Sequence, residues 1–473
     1  MALQAPVSSV TLPEKKLRMM FVCAFTHVFK SHRATRARLG AIGSASTQFN
    51  PRGGRGIIRC RLLRRRRSAD LPASVPPLWP RRRSSRRLHL LFRGLSKRSR
   101  RVGAGIHARS LCLSDKKELA WVPGMGDAAS SELADGKFLD YISIATAVLL
   151  YVFIIYVSIP LTIRLFPPLL RKFVYLNFLV YPFGVDYKKP EVFLRSTKNF
   201  YLTSEPGVTF GIWYTLADNR WEEAEGKDFS WYEEALADDN PIIIYLHGNG
   251  GTRATSHRIN FLKAMSGGGF HVLAVDYRGY ADSTGNPSEE GFTTDVLCLY
   301  NWVKARSGNS AVVFWGHSLG TGIATNAARR LKEQEGIIVD AVILEAAYTT
   351  IRDAAATIPI TTIYRKFPGF EYLILDTMAR AEMFFLNNEN VKVLSSPILI
   401  LHSEDDNVIP IHHGKKLFEI TCGATEKKDN ITFLSFPSSM GLGHDHISSH
   451  PELASILKDF LKSIAADQQS NGQ

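Results

Sequence analysis

The pentapeptide GHSLG (316–320) contains a serine in a setting that suits nucleophilic chemistry. The β-rich run AVVFW precedes it, and the helical pattern TGIATNAARRLKEQE follows it. A tight strand-to-helix turn needs small residues on both sides of the serine, because its backbone segments approach closely. The N-terminus of the helix also favours negative charge that develops on the serine oxygen. The pattern therefore predicts that Ser318 is the nucleophile of an acyl-transfer enzyme.

A serine nucleophile needs a base, and the base needs an acid that orients it. In hydrolases built around such a turn, the acid and then the base follow the serine along the chain. Asp406 follows the apolar run ILILH, within HSEDDNVIP, and is the candidate acid. We interpret the adjacent Asp405 as a solvated loop residue or a turn former.

The loop GLGHDHISSH after the run ITFLSF contains three candidates for the base. His444 follows a glycine-containing stretch and is the preferred candidate, with His446 as its main competitor. His450 fits better as a residue that helps to start the final helix. The chain order Ser318, Asp406, His444 is the order that this type of hydrolase requires.

The intermediate of acyl transfer also needs backbone N–H donors beside its negatively charged oxygen. Leu319, the residue after the nucleophile, is the expected first donor. The second is expected from the loop HGNGG (247–251), at Asn249 or Gly250. A phosphate-binding loop is the weaker interpretation of HGNGG, because no lysine follows as such loops require.

Seven β-rich runs alternate with helical patterns between about residues 195 and 465. Several are continuously apolar, as expected for strands that are covered on both faces. The runs are VTFGIWY (208–214), IIIYL (242–246), HVLAVD (271–276), AVVFW (311–315), AVILE (341–345), ILILH (398–402) and ITFLSF (431–436). The pattern predicts an α/β protein of the α/β-hydrolase fold, with a mostly parallel central sheet.

The long interval 348–392 between two predicted strands is expected to form a short cap insertion over an apolar cleft. Its aromatic residues are Phe367, Phe370, Tyr372, Phe384 and Phe385. With this cap, the catalytic domain is predicted to span 195–465 and to be followed by a flexible C-terminus, 466–473.

The net charge of +14 is concentrated in the N-terminal part of the chain. Residues 1–140 hold 29 of the 58 Lys and Arg but only 8 of the 44 Asp and Glu, so the remainder is mildly acidic. A nucleic-acid-binding domain carries positive charge on its folded body, so no nucleic-acid partner is expected. The Arg-rich segment 1–138 is predicted to be a disordered tail. Its low acid content also resembles a mitochondrial transit peptide, which is the weaker interpretation.

The uncharged stretch from Tyr141 to Ile163 is long enough to cross a bilayer, and it predicts a transmembrane helix within 139–165. A buried core helix is the alternative. Residues 166–194 then form a juxtamembrane segment, which either lies on the membrane surface or packs on the domain.

Two counts of basic residues disagree on the orientation of this span. Arg164, Arg171 and Lys172 follow it closely and place its C-terminal side in the cytosol, whereas the strongly basic distal tail favours the opposite. We favour a catalytic domain in the lumen or outside the cell. The sequon at Asn430 is a candidate glycosylation site that permits this orientation.

The scattered histidines show no spacing typical of metal ligands, and the predicted chemistry needs no cofactor. Neither a metal nor a cofactor is therefore expected. Cys298 and Cys422 are the two cysteines of the predicted catalytic domain, and a disulfide between them is compatible with the sequence. The sequence makes no prediction of oligomeric state.

From about Tyr175 onward, the chain resembles the family of α/β-hydrolase domain-containing protein 12. The resemblance is carried by DYKKPE, GIWYT, GKDFSWYEEAL, YLHGNGGTR, DYRGYADSTG, WVKARSG, WGHSLGTGIATN, FPGFEY and LHSEDDNVIP. It implies a single span, a luminal catalytic domain in the endoplasmic reticulum or another endomembrane, and a lysophosphatidylserine or monoacylglycerol substrate. It also supports Ser318, Asp406 and His444. The chain departs from the family at Ala281, where glycine is usual, and in the tract GLGHDHISSH.

Together, these features predict a membrane-anchored serine hydrolase that cleaves acyl esters of single-chain lipids through an acyl-enzyme intermediate. Its expected partners are a lipid substrate and the membrane bilayer. Two alternatives stay open, namely a protein thioesterase or peptidase of the same fold and a non-catalytic membrane adaptor that retains the fold.

Overall fold

The computed structural model describes residues 56–59, 125–425 and 428–471, with side chains described over 140–425 and 429–466. Nine strands form one sheet, in the order β1-β9-β8-β7-β6-β4-β5-β3-β2. The strands are β1 (Gly56–Arg59), β2 (Thr197–Glu205), β3 (Val208–Thr215), β4 (Ile242–Leu246), β5 (His271–Asp276), β6 (Val312–His317), β7 (Ala341–Glu345), β8 (Ile398–Ser403) and β9 (Ile431–Phe436). Strands β4 to β9 pair in parallel, and the outer strands β1, β2 and β3 pair antiparallel. The predicted α/β-hydrolase fold with a mostly parallel sheet is confirmed.

Helices connect most of these strands and cover both faces of the sheet. They are α1 (Met125–Leu165), α2 (Pro167–Tyr175), α3 (Phe229–Glu234), α4 (Ser256–Gly267), α5 (Glu289–Lys304), α6 (Leu319–Glu335), α7 (Ile351–Thr357), α8 (Asp376–Arg380), α9 (Asn387–Val393), α10 (His412–Ala424) and α11 (Leu453–Asn471). Helix α11 continues past the predicted end of the domain at 465, into the segment predicted to be a flexible C-terminus.

Central strand β4 shows why the sheet is apolar on both faces. Successive side chains of a strand point to opposite faces. Ile242 and Ile244 belong to one apolar cluster, and Ile243 and Tyr245 belong to the cluster on the other side. All five residues of β4 are buried, because helices cover both faces. Continuous apolar runs therefore predicted these central strands well.

Two strands were missed by the sequence prediction. In β2, buried and half-buried residues are mixed with polar ones such as Lys198 and Asn199, so no apolar run reveals the strand. Strand β1 pairs with β9 and lies within the segment predicted to be a disordered tail. Residues 125–138 of that segment are helical as well. The rest of the predicted tail lies outside the described residues.

Helix α1 begins at Met125, well before the predicted start at 139. Within the described residues, its segment Asp140–Leu165 is the one helix long and apolar enough to cross a membrane. Helix α2 follows almost immediately. Leu170 and Tyr175 of α2 are buried in the main apolar cluster, whereas Leu169 and Phe173 are exposed. The segment therefore packs on the domain with one face and leaves an apolar face uncovered, so the domain core extends N-terminal to residue 195.

The predicted cap insertion lies between β7 and β8. We define the cap as residues 351–386, because α9, which follows, packs against α6 and α10 of the main body. The predicted cap aromatics divide into two groups. Phe370 and Phe385 are buried and Phe367 is half-buried, whereas Tyr372 and Phe384 are exposed. The exposed members cannot line an internal cleft.

The two cysteines of the hydrolase domain are in different states. Cys298, on α5, is a free thiol, and Cys422, on α10, is disulfide-bonded. They are therefore not joined to each other.

Candidate active site

Ser318 occupies the turn between β6 and α6 with φ 52° and ψ −115°, a backbone conformation that L-residues rarely adopt. Its N–H donates to the carbonyl oxygen of Glu345 at 2.9 Å. A Cβ on Gly320 would collide with the carbonyl oxygen of Leu246, and one on Gly316 with the backbone of Gly320. The close approach expected of a nucleophile elbow is present, and it explains both glycines.

The structure brings Ser318, His444 and Asp406 into one hydrogen-bonded chain. His444 Nε2 lies 3.0 Å from Ser318 Oγ, and His444 Nδ1 lies 2.8 Å from Asp406 Oδ2. Both distances are within the range needed for proton transfer from a nucleophile to a base and for orientation of that base by an acid. The three residues come from three connections at one edge of the sheet, after β6, β8 and β9.

Asp406 is held in place by its own loop. Its Oδ1 accepts from the backbone N–H groups of Val408 and Ile409, each at 2.8 Å, so Oδ2 is left to face His444. Burial raises the pKa of this carboxyl, but the adjacent His444, together with His402, outweighs burial and the net pKa is lowered. Asp406 is therefore an anion at neutral pH.

The pKa of His444 shifts in the opposite direction. Burial lowers it, but the negative charge of Asp406 and its hydrogen bond, with smaller contributions from Asp445 and Glu345, raise the net pKa above its ordinary value. A carboxylate that stabilises the imidazolium makes the imidazole a stronger base. This is the electrostatic arrangement required when His444 takes a proton from Ser318.

The other candidates of these two loops have different contacts. His446 is exposed at the surface, and the backbone N–H of Glu452 donates to His450 Nδ1 just before α11. Asp405, expected to be a solvated or turn-forming residue, is half-buried and accepts from the N–H of Gly443 at 3.0 Å. Asp405 thus fastens the loop that carries His444, a role that only the folded arrangement reveals.

The two loops expected to supply oxyanion donors are beside the serine. A Cβ on Gly248 would lie 3.2 Å from Ser318 Cβ, so the loop 247–251 borders the nucleophile. The N–H of Gly250 donates to the carbonyl oxygen of Tyr175 at 3.0 Å and is therefore engaged. Within the described residues, the N–H groups of Leu319 and Asn249 donate to no other protein group. This geometry favours Leu319 and Asn249 as donors and argues against Gly250.

The loop 247–251 is fixed from two sides. On the inner side, Arg258 of α4 donates to the carbonyl oxygens of Gly248 and Gly250. On the other side, the end of helix α2 lies against the loop. There the Asn249 side chain donates to the carbonyl oxygen of Val174 at 3.3 Å, beside the bond from Gly250 to Tyr175.

One cluster could hold a cation by composition. His257, His317 and Asp445 bring one ligand atom each within 4.8 Å of one another, a grouping that sequence spacing did not predict. His317 Nε2 is also 2.9 Å from the carbonyl oxygen of His444. Burial and then the neighbouring Arg258 lower the pKa of His257 to about 3. The His257 side chain is therefore uncharged at neutral pH.

A sequence profile of the family described as alpha/beta hydrolase fold matches residues 241–362. Over 298 residues, the chain is 51% identical to Protein ABHD12B of Homo sapiens, a match that covers 63% of this chain and 82% of that protein. It is 46% identical over 324 residues to Lysophosphatidylserine lipase ABHD12 of Rattus norvegicus, a match that covers 68% of this chain and 81% of that protein. Among solved structures, it is similar to an esterase of Pyrococcus furiosus, with a TM-score of 0.43 and 15% identity. The match covers 58% of this chain and 93% of the esterase chain.

Proposed function

Because this chain belongs to the ABHD12 and ABHD12B family of α/β hydrolases, we propose that it is a membrane-anchored serine hydrolase of lysophospholipids. The observation that carries the proposal is the hydrogen-bonded chain from Ser318 through His444 to Asp406. The name of the rat relative supports a lysophosphatidylserine substrate, and a monoacylglycerol has the same single acyl ester.

The proposed reaction has two halves. Ser318 Oγ attacks the acyl carbonyl carbon, and its proton passes to His444 Nε2. Negative charge on the former carbonyl oxygen is stabilised by the N–H groups of Leu319 and Asn249. When the ester C–O bond breaks, His444 gives the proton to the leaving glycerol oxygen, and an acyl-enzyme remains. Water then attacks the carbonyl carbon of this ester while His444 takes its proton. As the bond to Ser318 Oγ breaks, His444 returns the proton to Oγ, and a free fatty acid leaves.

The proposed substrate class can be tested with the full-length protein in vesicles. We expect lysophosphatidylserine to be hydrolysed with kcat/KM at least about tenfold above that of an acylated peptide thioester. Lysophosphatidylcholine and monoacylglycerol in the same assay report the preference for the head group. The Ser318→Ala protein supplies the blank for uncatalysed hydrolysis.

Two other results would change the assignment. Faster turnover of the peptide thioester would favour a protein thioesterase or peptidase. A folded wild-type protein that neither hydrolyses any of these esters nor reacts with a fluorophosphonate would be a non-catalytic adaptor.

We also propose that α1 crosses an endomembrane such as that of the endoplasmic reticulum, with the hydrolase domain in the lumen. Strand β1 precedes α1 in the chain, so in this inserted state it lies on the opposite side of the bilayer and does not pair with β9. Asn430 lies directly before β9 and is half-buried, so its side chain is partly accessible.

Glycosylation tests this orientation. In cells, endoglycosidase treatment is expected to increase the electrophoretic mobility of the wild-type protein and to leave that of Asn430→Gln unchanged. A cytosolic hydrolase domain predicts that protease added to intact microsomes degrades it. That result would refute the proposed orientation.

A further inference from the structure

The C-terminal part of α1 packs against the cap at a point within its apolar stretch. The hydroxyl of Tyr156 donates to the carbonyl oxygen of Ile363 at 2.8 Å. The Tyr156 ring stacks on Tyr364 with centroids 4.8 Å apart, and it meets Phe367 edge-on at 5.3 Å. We call residues 359–367 the cap tip. The cap tip is therefore fastened to the part of the chain that we propose lies in the bilayer.

The length of α1 defines the depth of this contact. The segment Asp140–Leu165 has 26 residues, which at a rise of about 1.5 Å per residue is about 39 Å. A hydrocarbon core of about 30 Å takes up about 20 of them, so a core that starts at Tyr141 ends near residue 160. Tyr156 then lies about 6 Å inside the core. Its Cα–Cβ bond tilts toward the helix N-terminus, which is farther into the membrane.

A second set of contacts marks the polar edge of the same interface. Arg164, which ends the uncharged stretch, stacks its guanidinium over the Tyr372 ring at 3.9 Å. The Arg164 side chain also donates to Thr377 Oγ1 at 3.4 Å, and the Arg380 side chain donates to the carbonyl oxygen of Arg164 at 3.2 Å. The part of the cap around residues 372–380 thus lies at the level of the lipid head groups. The cap tip lies deeper along α1.

The surface of the cap tip suits contact with lipid. Ile360 is 55% exposed and Ile363 is 64% exposed, although both are large and apolar. Backbone polar groups in a bilayer must be paired within the protein. Here the N–H groups of Thr361, Thr362 and Tyr364 find carbonyl acceptors inside the cap, and the carbonyl of Ile363 is paired with Tyr156.

The charged residues of the cap tip do not oppose this placement. Arg365 folds back and donates to the carbonyl oxygens of Thr357 and Ile358. Lys366 is exposed, and its long side chain can extend to the head groups.

From these contacts we infer that the cap tip inserts into the hydrocarbon region of the bilayer beside α1, with Ile360 and Ile363 facing the acyl chains. The inference rests on the proposed membrane anchor. It adds a second, monotopic contact with lipid on the hydrolase domain itself. The same contact brings the cap, and with it the hydrolase domain, to the layer in which a lysophospholipid resides.

Photo-crosslinking in vesicles tests this insertion directly. Full-length protein with p-benzoylphenylalanine at 363, at 338 or at 153 is reconstituted in vesicles containing radiolabelled phosphatidylcholine. Ile338 is the matched control, an isoleucine that is 52% exposed and lies between α6 and β7. Phe153, which is 61% exposed within α1, is the positive control. Labelled lipid is expected on 363 and 153 and not on 338.

Each other outcome is decisive. If position 153 is labelled by lipid and position 363 is not, the insertion is overturned and the anchor stands. The same holds if position 363 crosslinks only to protein. No adduct at 153 overturns the anchor and the insertion together.

Kinetics provide a second test. The double variant Ile360→Asp/Ile363→Asp is expected to raise KM for vesicle-borne lysophospholipid by about tenfold or more, because charge is disfavoured in hydrocarbon. The kcat/KM of the double variant for a water-soluble short-chain ester should stay within about twofold of wild type. The control variant Ile338→Asp should change neither the KM for vesicle-borne lysophospholipid nor the kcat/KM for the soluble ester. Equal losses on both substrates would assign the two isoleucines a role in folding instead.

Discussion

Replacing Ser318 with alanine is expected to lower kcat for lysophospholipid hydrolysis by roughly 10⁶-fold and to abolish labelling by a fluorophosphonate. The hydroxyl oxygen is the atom that forms the acyl-enzyme, and alanine has no equivalent. His444→Ala is expected to lower kcat by a similar factor, because a serine without its base is a poor nucleophile. The double variant should be little worse than either single variant, since the two residues act as a unit. Single-turnover assays with purified full-length protein measure these losses.

His446→Ala is the matched control for the base. His446 is close to His444 in sequence but exposed, so its loss should change kcat by less than about threefold. Equal losses for the two histidine variants would show that the 3.0 Å contact between His444 and Ser318 does not identify the base.

Asp406→Asn is expected to lower kcat/KM by about 10⁴-fold with the fold intact. An amide can donate to His444 Nδ1, so the ring adopts the tautomer that cannot accept the proton from Ser318. Asp405→Asn is the matched control. Its amide oxygen can still accept from Gly443, so a loss of no more than about tenfold is expected. Comparable losses for the two variants would contradict the assignment of Asp406 as the acid.

The pH profile separates an electrostatic role of Asp406 from a structural one. The reaction needs neutral His444, so kcat/KM falls as the pH decreases through the pKa of this residue. Asp406 is the main cause that raises this pKa, so the wild-type acid limb should lie above the ordinary pKa of histidine. In Asp406→Asn, the acid limb of the residual activity should move to lower pH. An unchanged limb would mean that Asp406 contributes only to packing.

Local signals predicted Ser318 and Asp406, because the features that place them lie within a few residues along the chain. The elbow needs only a strand, two glycines and a helix, and Asp406 is held by backbone N–H groups of its own loop. The choice between His444 and His446 could not be made in this way. It depends on how the loop after β9 folds back over Ser318, and Asp405 fastens that loop through a contact between separate connections.

The sequence of the oxyanion loop, residues 247–251, could not identify the second oxyanion donor either. Nothing in HGNGG distinguishes the N–H of Asn249 from that of Gly250. The distinction arises because Tyr175, far away in sequence, supplies the carbonyl oxygen that engages Gly250. Strand β2 was missed for a related reason. Its polar edge residues pair with β3 through the backbone, and such pairing leaves little trace in an apolar pattern.

The bonds from Gly250 and Tyr280 to the carbonyl oxygen of Tyr175 have a mechanical consequence. A flexible tether would let a hydrolase domain tumble above the bilayer and meet its substrate at any angle. Here one residue separates α1 from α2, and Tyr175 at the end of α2 is bonded to the oxyanion loop, so the proposed membrane helix α1 is linked through α2 to the loop beside Ser318. Insertion of a flexible linker at residue 166 would leave every reacting group in place, but the orientation of the active site relative to the bilayer would no longer be fixed.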